Sequence, residues 1–250
     1  MRNILLAVLL LSIAVISVGQ AAPADDFTAG NQFFQNKEYE KAIGAYNRVL
    51  AQGVESAPLY FNLGNAHFKS GDLGHAVLYY LKARRLNPSD EDIKSNLDFA
   101  RSLATVQLEG VQLNPVNALL ESIVTPIRLN SLAWISSLFF VLCFGLLAVR
   151  FGLGYLHSGL KTVIVLALVL LICAASLTSY KYYHDYVTRW AVVVGEEVEV
   201  RSGPTDSTGL EFQGEPGLIV RISAESGDYY NVIFENQRRG WVKKNLLAEV

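Results

Sequence analysis

Residues 57–90 read APLYFNLGNAHFKSGDLGHAVLYYLKARRLNPSD, and this stretch decides the fold of the N-terminal half of the chain. The Gly64-Asn65 pair within it also occurs 34 residues earlier, as Gly30-Asn31. A regular interval of roughly 20 to 50 residues is typical of proteins built from repeated structural units. The spacing therefore predicts two copies of one helical unit, stacked side by side.

Within each copy, glycine, alanine and aromatic residues follow in an order that resembles the tetratricopeptide repeat. The second copy matches at Tyr60, Leu63, Gly64, Gly71, Asp72, Ala76, Tyr80, Ala83 and Pro88. The first copy departs at Val54, where the family has a proline. We expect an all-α solenoid over residues 25–107, with repeats at about 23–56 and 57–90 and a capping helix at 91–107. Because so few repeats rarely form a stable stack, we expect this module to lean on a partner or on the membrane.

The resemblance implies a concave groove, lined by the first helix of each repeat, for an extended or helical peptide. Its positions in this chain are Phe27, Asn31, Phe34, Phe61, Asn65, Phe68 and Lys69. Phe34 and Phe68 would anchor the peptide, and the asparagines would bind its backbone; the alternative is that the aromatic rings only pack between helices. A clamp for a C-terminal carboxylate is not expected, because the family's basic positions hold Phe27, Asp92 and Asn96.

Charged residues make up only 18% of the 250 residues, against roughly 25% in a soluble domain. The deficit lies in three uncharged blocks, at 3–24, 129–149 and 162–180. Acids slightly outnumber bases elsewhere, by 12 to 10 in residues 25–128 and by 11 to 8 in residues 181–250. Neither part is basic enough to follow a phosphate backbone, so nucleic acid is not an expected partner.

The first block begins after Arg2 and ends in small residues, so residues 1–24 are predicted to be a signal peptide, with an uncleaved anchor as the alternative. The other two blocks predict transmembrane helices at 129–149 and 162–180. Their connector, 150–161, carries bases without acids, which favours a cytoplasmic loop. The chain is therefore expected to cross the inner membrane twice, with both soluble domains in the periplasm.

Residues 108–128 are either an interfacial helix in contact with membrane lipid or a linker packed on the repeats. The two predicted spans contain no acid or base, which argues against an ion path. Cys143 and Cys173 both lie in these spans and are expected to pack as small apolar residues. No metal site is expected, because His67 and His75 lie on different helices with no third ligand in view.

From Trp190 onward, β-branched residues alternate with polar ones in five short runs separated by turn residues, which predicts a small all-β barrel. The sequence VEVRSGP at 198–204 and GWV at 240–242 resembles the bacterial SH3-like domain, and we assign residues 190–250 to it. Such barrels bind peptides or cell-wall material through exposed aromatic residues. The candidates are Tyr229, Tyr230 and Trp241, although a barrel this small also needs large side chains in its core.

The order of these parts resembles the BatE-like family of the Bacteroides-type aerotolerance (Bat) group. The resemblance implies an inner-membrane scaffold in a stress-linked complex. Its implied partners are membrane proteins with von Willebrand factor A domains and other Bat-group proteins, functionally linked to a MoxR-type ATPase. The alternative function is binding or sensing of the cell wall, with peptidoglycan as the ligand. No catalytic set or cofactor motif occurs in the sequence, so we expect neither an enzyme nor a cofactor.

Overall fold

A computed structural model describes residues 22–104, 119–120, 123–152 and 158–250. The predicted signal peptide at 1–24 and linker at 108–128 lie largely outside these residues, as does part of the loop at 150–161. The helices that these residues form before the sheet include α1 Ala22–Gln35, α2 Tyr39–Ala51, α3 Ala57–Ser70, α4 Leu73–Leu86, α5 Glu91–Leu103, α6 Leu129–Gly152 and α7 Ser158–Tyr182. The predicted fold class is confirmed: a helical repeat region is followed by two apolar helices and an antiparallel β domain.

The second repeat consists of α3 and α4, and polar residues cap both helices. The Ser56 hydroxyl accepts a hydrogen bond from the Leu59 amide at 3.3 Å, which satisfies one of the free donors at the start of α3. Gly71 ends α3 with φ +91°, and Asp72 then accepts from the His75 amide at 3.1 Å to begin α4. The Gly-Asp pair in the sequence is thus a helix end followed directly by a helix start.

Close packing between helices explains why the glycines recur. A Cβ atom on Gly30 would lie 2.4 Å from the ring of Tyr46, and one on Gly64 would lie 2.6 Å from the ring of Tyr80. Both tyrosines are almost fully buried, with 1% and 2% of their surface exposed. Each repeat therefore needs a glycine on its first helix so that the tyrosine of its second helix can lie flat against it.

Helices α6 and α7 are each long and apolar enough to cross a membrane. They pack against each other in antiparallel orientation, and the hydroxyls of Ser136 and Thr178 lie 2.9 Å apart. Most of their large apolar side chains face outward, including Phe140, Leu166 and Ile172. Cys143 is buried and Cys173 is exposed, and both are free thiols.

A short π-helical turn, Tyr183–Val187, leads from α7 into the β domain. Its strands are β1 Trp190–Val193, β2 Val198–Arg201, β3 Leu210–Gly214, β4 Ile219–Ser226, β5 Tyr229–Phe234, β6 Arg239–Lys243 and β7 Leu247–Glu249. They form one antiparallel sheet in the order β3-β2-β6-β5-β4-β1-β7. The five predicted runs are present as strands, but the prediction missed β3 and β7. β3 alternates poorly because four of its five residues are not buried, and β7 has only three residues.

The β domain packs directly on the end of the repeat stack. Val192 of β1 is fully buried in one apolar cluster with Val77 of α4 and Leu97 of α5. A Cβ atom on Gly74 would lie 2.7 Å from the Cα of Val194, so the two backbones are in close contact there. The stack was expected to lean on a partner or on the membrane. That expectation stays a prediction, but the chain's own β domain covers part of the C-terminal apolar face of the stack.

Candidate functional site

Two equivalent asparagines connect neighbouring helices of the predicted groove. The Oδ1 atom of Asn31 accepts hydrogen bonds from the Tyr46 hydroxyl at 2.8 Å and from the Asn62 amide at 2.9 Å. In the next repeat, Oδ1 of Asn65 accepts from the Tyr80 hydroxyl at 2.7 Å and from the Asn96 amide at 3.0 Å. We call these two three-residue sets the asparagine ladder. The side-chain oxygens of Asn31 and Asn65 therefore serve the fold, which leaves their amide groups as the donors that a peptide could use.

Sequence reasoning assigned Asn31 and Asn65 to peptide binding but missed their second role in holding the helices. The indication was available, because each asparagine stands 15 residues before a tyrosine of the same repeat. Burial raises the pKa of the Tyr46 hydroxyl to about 12 and raises that of Tyr80 as well. Both hydroxyls therefore stay protonated at neutral pH and act as donors in the ladder.

The predicted aromatic groove residues are all partly buried, and each packs on another ring. Ring centroids lie 5.8 Å apart for Phe27 and Tyr46, 5.5 Å for Phe34 and Tyr39, 6.0 Å for Phe61 and Tyr80, and 5.7 Å for Phe68 and Phe99. These contacts fit the packing alternative, but each of the four phenylalanines keeps part of its surface accessible. Lys69 is exposed at the end of α3.

Sequence reasoning missed Phe99, which packs on Phe68 at the C-terminal end of the predicted groove. The side chain is 58% exposed although it packs on Phe68, and Leu103 one turn later is 47% exposed. The indication was that Phe99 falls off the apolar stripe of α5 formed by Ile93, Leu97 and Ala100, which are all buried. A large aromatic residue on the solvent side of a capping helix favours contact with another molecule.

The expectation that His67 and His75 lack a third ligand nearby is wrong. Asp72 lies between them, with one carboxylate oxygen 3.0 Å from Nδ1 of His67 and 2.7 Å from Nδ1 of His75. Ligand atoms of all three residues lie within 4.8 Å of one another. Burial raises the pKa of Asp72, but the hydrogen bonds from both histidines outweigh it and bring this pKa well below its usual range. The cluster is therefore an ionised carboxylate that joins the two helices of the second repeat at their turn.

The three aromatic candidates of the β domain differ in exposure. Tyr229 is buried, and its hydroxyl donates to Asp206 at 2.6 Å. Tyr230 packs on the barrel core and donates to Glu249 at 2.9 Å. Trp241 is partly buried on β6, where it pairs with Asn231 of β5. Tyr229 is thus buried without joining the apolar core cluster, whereas Tyr230 packs on that cluster and, like Trp241, keeps accessible surface.

A polar cleft of about 210 Å³ lies beside Tyr229 on the barrel. Its lining includes the acids Glu197 and Glu199 and the bases Arg201 and Lys243. A cleft with both signs of charge suits a ligand that carries carboxylate and amino groups. The tyrosine was predicted as an aromatic contact, but the charged residues around it were not.

Comparisons with known proteins agree with these two folds. A TPR repeat model matches residues 30–71, and a tetratricopeptide repeat model matches residues 57–90. A bacterial SH3 domain model matches residues 194–249. No curated protein matches the chain. The chain therefore contains tetratricopeptide repeats and a bacterial SH3 domain, which suggest protein-binding or cell-wall-binding roles, together with two helices suited to a membrane.

Proposed function

We propose that the protein is a non-catalytic scaffold of the inner membrane that binds partner proteins through its tetratricopeptide groove and its SH3-like barrel. The apolar cluster shared by α4, α5 and β1 is the observation that carries this proposal. Only two residues, Thr188 and Arg189, separate the π-helical turn from β1. A short connection and a common core hold both binding domains at fixed positions beside the membrane helices, as a scaffold requires.

The proposed topology places both soluble domains in the periplasm and the loop at 150–161 in the cytoplasm. A signal peptide at 1–24 would export the chain, and the hairpin of α6 and α7 would return it to the same side. A periplasm-active reporter fused after residue 128 or residue 250 should be active, and one fused at residue 155 should be silent. Activity at residue 155 together with silence at residue 250 would reverse the topology.

Bat-group membership rests on the order of the modules. The proposed partners are membrane proteins with von Willebrand factor A domains and other Bat-group proteins, linked to a MoxR-type ATPase. Affinity purification of the full chain from membranes, followed by identification of the retained proteins, tests this directly. Recovery of such partners in a complex linked to aerotolerance or envelope stress would support membership, and their absence would leave the Bat assignment without support.

The groove assignment is tested by the double substitution Phe34→Ala with Phe68→Ala in the full chain. We expect loss of the co-purified partners with unchanged membrane insertion, because neither residue lies in α6 or α7. Phe33→Ala is the matched control, since Phe33 is also partly buried against the repeat core but is not a groove residue. Equal partner recovery from the double variant and the control would contradict the groove assignment.

Cell-wall binding is the second candidate function, and the polar cleft beside Tyr229 favours it. Peptidoglycan stems carry the carboxylate and amino groups that such a lining would match. The test is retention of the full chain on purified sacculi, because the barrel shares its core with the repeats and is not expected to be stable alone. Strong retention that Lys243→Gln reduces supports wall binding, whereas no retention favours the protein scaffold.

A further inference from the structure

A cavity of about 390 Å³ lies where three parts of the chain meet. Its walls come from the repeat helix α4, from the end of the membrane hairpin and from the barrel, represented by Leu81, Lys181 and Ile219. Neither the groove nor the barrel cleft includes it. The cavity therefore depends on the docking of all three parts.

Basic side chains outnumber acidic ones in the lining of this cavity. The bases are Arg84, Arg85, Arg101, Lys181 and Arg189, and the acids are Asp185, Glu235 and Glu249. The protein as a whole has a formal net charge of −2, so this concentration of bases does not reflect its overall composition.

Four of the five cations have a partner within the protein. These contacts are Arg101 with Glu235 at 2.6 Å, Lys181 with Asp185 at 2.9 Å, Arg189 with Glu249 at 2.7 Å and Arg85 with the Val250 carbonyl oxygen at 3.1 Å. Arg84 is the exception: among the described residues it has no hydrogen-bond or ion-pair partner. Burial lowers the pKa of its guanidinium, repulsion by Arg101 adds to this, and the acids Asp98, Asp185 and Glu235 offset it in part without a direct ion pair. A partly buried guanidinium without a direct partner is costly, and an anion in the cavity would offset that cost.

The position of the cavity relative to the hairpin indicates what anion reaches it. Lys181 lies in the last turn of α7, and Tyr182, Tyr183 and Tyr186 beside it are each more than half exposed. Tyrosines at the end of a membrane helix lie at the level of the lipid headgroups. The cavity therefore opens at the depth where phosphate groups of the bilayer are concentrated.

We propose that this cavity binds a phosphate-bearing anion, with Arg84 as its main charge partner. A guanidinium is suited to this role because its planar array of donors matches two phosphate oxygens at once. Both the headgroup of an anionic phospholipid and a free phosphate supply this chemistry. The bound anion would link the repeats, the barrel and the membrane surface.

The test is thermal unfolding of the full chain in a neutral detergent, titrated separately with inorganic phosphate, phosphatidylglycerol and phosphatidylcholine. We expect phosphatidylglycerol to raise the melting temperature of the wild-type chain, because a ligand that binds only the folded state stabilises it. Arg84→Gln should weaken the apparent affinity by on the order of tenfold or more. Lys82→Gln is the matched control, because Lys82 lies on the same helix but does not line the cavity.

A shift with phosphatidylglycerol alone identifies a lipid headgroup, and an equal shift with inorganic phosphate identifies a free anion as sufficient. No shift in the wild-type chain, or the same shift in Arg84→Gln, overturns the proposal. Native mass spectrometry covers the case in which Arg84→Gln fails to fold. The wild-type chain and Arg84→Lys should both retain phosphatidylglycerol in preference to phosphatidylcholine, and equal retention of the two lipids would overturn the site.

Discussion

The two repeats have the same internal packing but different surroundings. In both repeats a glycine lies against the ring of a buried tyrosine, and an asparagine side-chain oxygen accepts a hydrogen bond from the tyrosine hydroxyl. The difference lies in the second helix, where exposed Glu40 of α2 corresponds to buried Gly74 of α4 at the 34-residue spacing. Gly74 faces the barrel backbone at Val194. Leu81, buried in the cluster with Val192, likewise corresponds to exposed Asn47. The comparison shows that the repeat unit is kept while surface positions of its second helix differ where the barrel docks.

The turns of the two repeats differ in the same way. At the positions of His67, Asp72 and His75, the first repeat has Phe33, Glu38 and Lys41. There, Lys41 pairs with Glu38 and lies over the ring of Phe33, and the Lys41 side chain is well exposed. The Glu38 and Asp72 side chains are equally exposed, so the turns differ in the partners of the carboxylate: a solvated lysine in the first repeat and two histidines, one of them buried, in the second. Substitutions that give one repeat the residue of the other therefore distinguish effects on packing within a repeat from effects on docking of the barrel.

The largest effect is expected from Gly74→Glu, which gives the second repeat the residue of the first. A Cβ atom there would lie 2.7 Å from Val194 Cα and 2.8 Å from the Val193 carbonyl oxygen, and a carboxylate would be buried beside them. We expect the free energy of unfolding to fall by about 3 kcal/mol or more and the barrel to separate from the repeats. Urea unfolding in detergent, followed by the fluorescence of Trp190 and Trp241, measures this free energy.

The control for this exchange is Glu40→Gly in the first repeat, which faces solvent. Its expected cost is about 1 kcal/mol or less, the helix-propensity penalty of glycine. If the two substitutions cost the same, the barrel does not rest on α4 and the shared core is refuted.

The next largest effect is expected from Asp72→Ala, because it removes the N-cap of α4 and both histidine contacts. We expect the free energy of unfolding at pH 7 to fall by about 2 kcal/mol, of which about 1 kcal/mol comes from loss of the N-cap hydrogen bond. Since the pKa of Asp72 is lower in the folded state, its contribution is complete above about pH 4 and is lost as the pH falls further. The unfolding free energies of variant and wild type should therefore converge in acid.

The matched control for Asp72→Ala is Glu38→Ala in the first repeat. Its ion pair with Lys41 is exposed, and its carboxylate makes no N-cap hydrogen bond to α2, so the expected cost is about 0.5 kcal/mol or less. A constant difference between Asp72→Ala and wild type from pH 7 to pH 2 would show that ionisation of Asp72 does not stabilise the turn.

Residue spacing predicted the repeat unit well, because its determinants are local. The recurrence of Gly30 at Gly64 reflects a steric requirement within one helical hairpin, and such requirements repeat with the chain. Apolar runs without charge likewise indicated α6 and α7, since the need to avoid buried charge acts on each helix separately. The alternation of five runs predicted most of the barrel for the same reason.

Docking of the barrel on the repeats was not predicted, because it joins residues more than a hundred positions apart. In the sequence, Gly74 resembles any glycine near the start of a helix, and Val192 resembles many other valines in strands. Neither residue has a sequence feature that indicates contact between the two regions. The cavity around Arg84 forms only because of this docking, so residue spacing could not predict the cavity either. Asp72 was matched to the repeat pattern, but its contact with His67 depends on how α3 and α4 cross.

Equal and smaller effects are expected from Tyr46→Phe and Tyr80→Phe, which remove the donor at each step of the asparagine ladder. Each should cost about 1 kcal/mol, because one hydrogen bond is lost and the ring stays in place. The same urea titration measures both. A much larger cost for Tyr80→Phe would show that barrel docking reaches into the ladder, and the two repeats would then differ inside as well as outside.

The smallest effect, and the only stabilising one, is expected from Lys37→Gly at the end of the first hairpin turn. Lys37 has φ +62°, where the second repeat has Gly71 at φ +91°. A side chain in this left-handed region costs roughly 1 kcal/mol, but glycine also loses more conformational entropy on folding, so the net gain should be about 0.5 kcal/mol. The reverse exchange, Gly71→Lys, should cost about 1 kcal/mol in the same titration. Opposite signs at the two turns would establish that both repeats need the same backbone conformation there and that only the second has the residue best suited to it; a loss at both would mean that the Lys37 side chain itself stabilises the first turn.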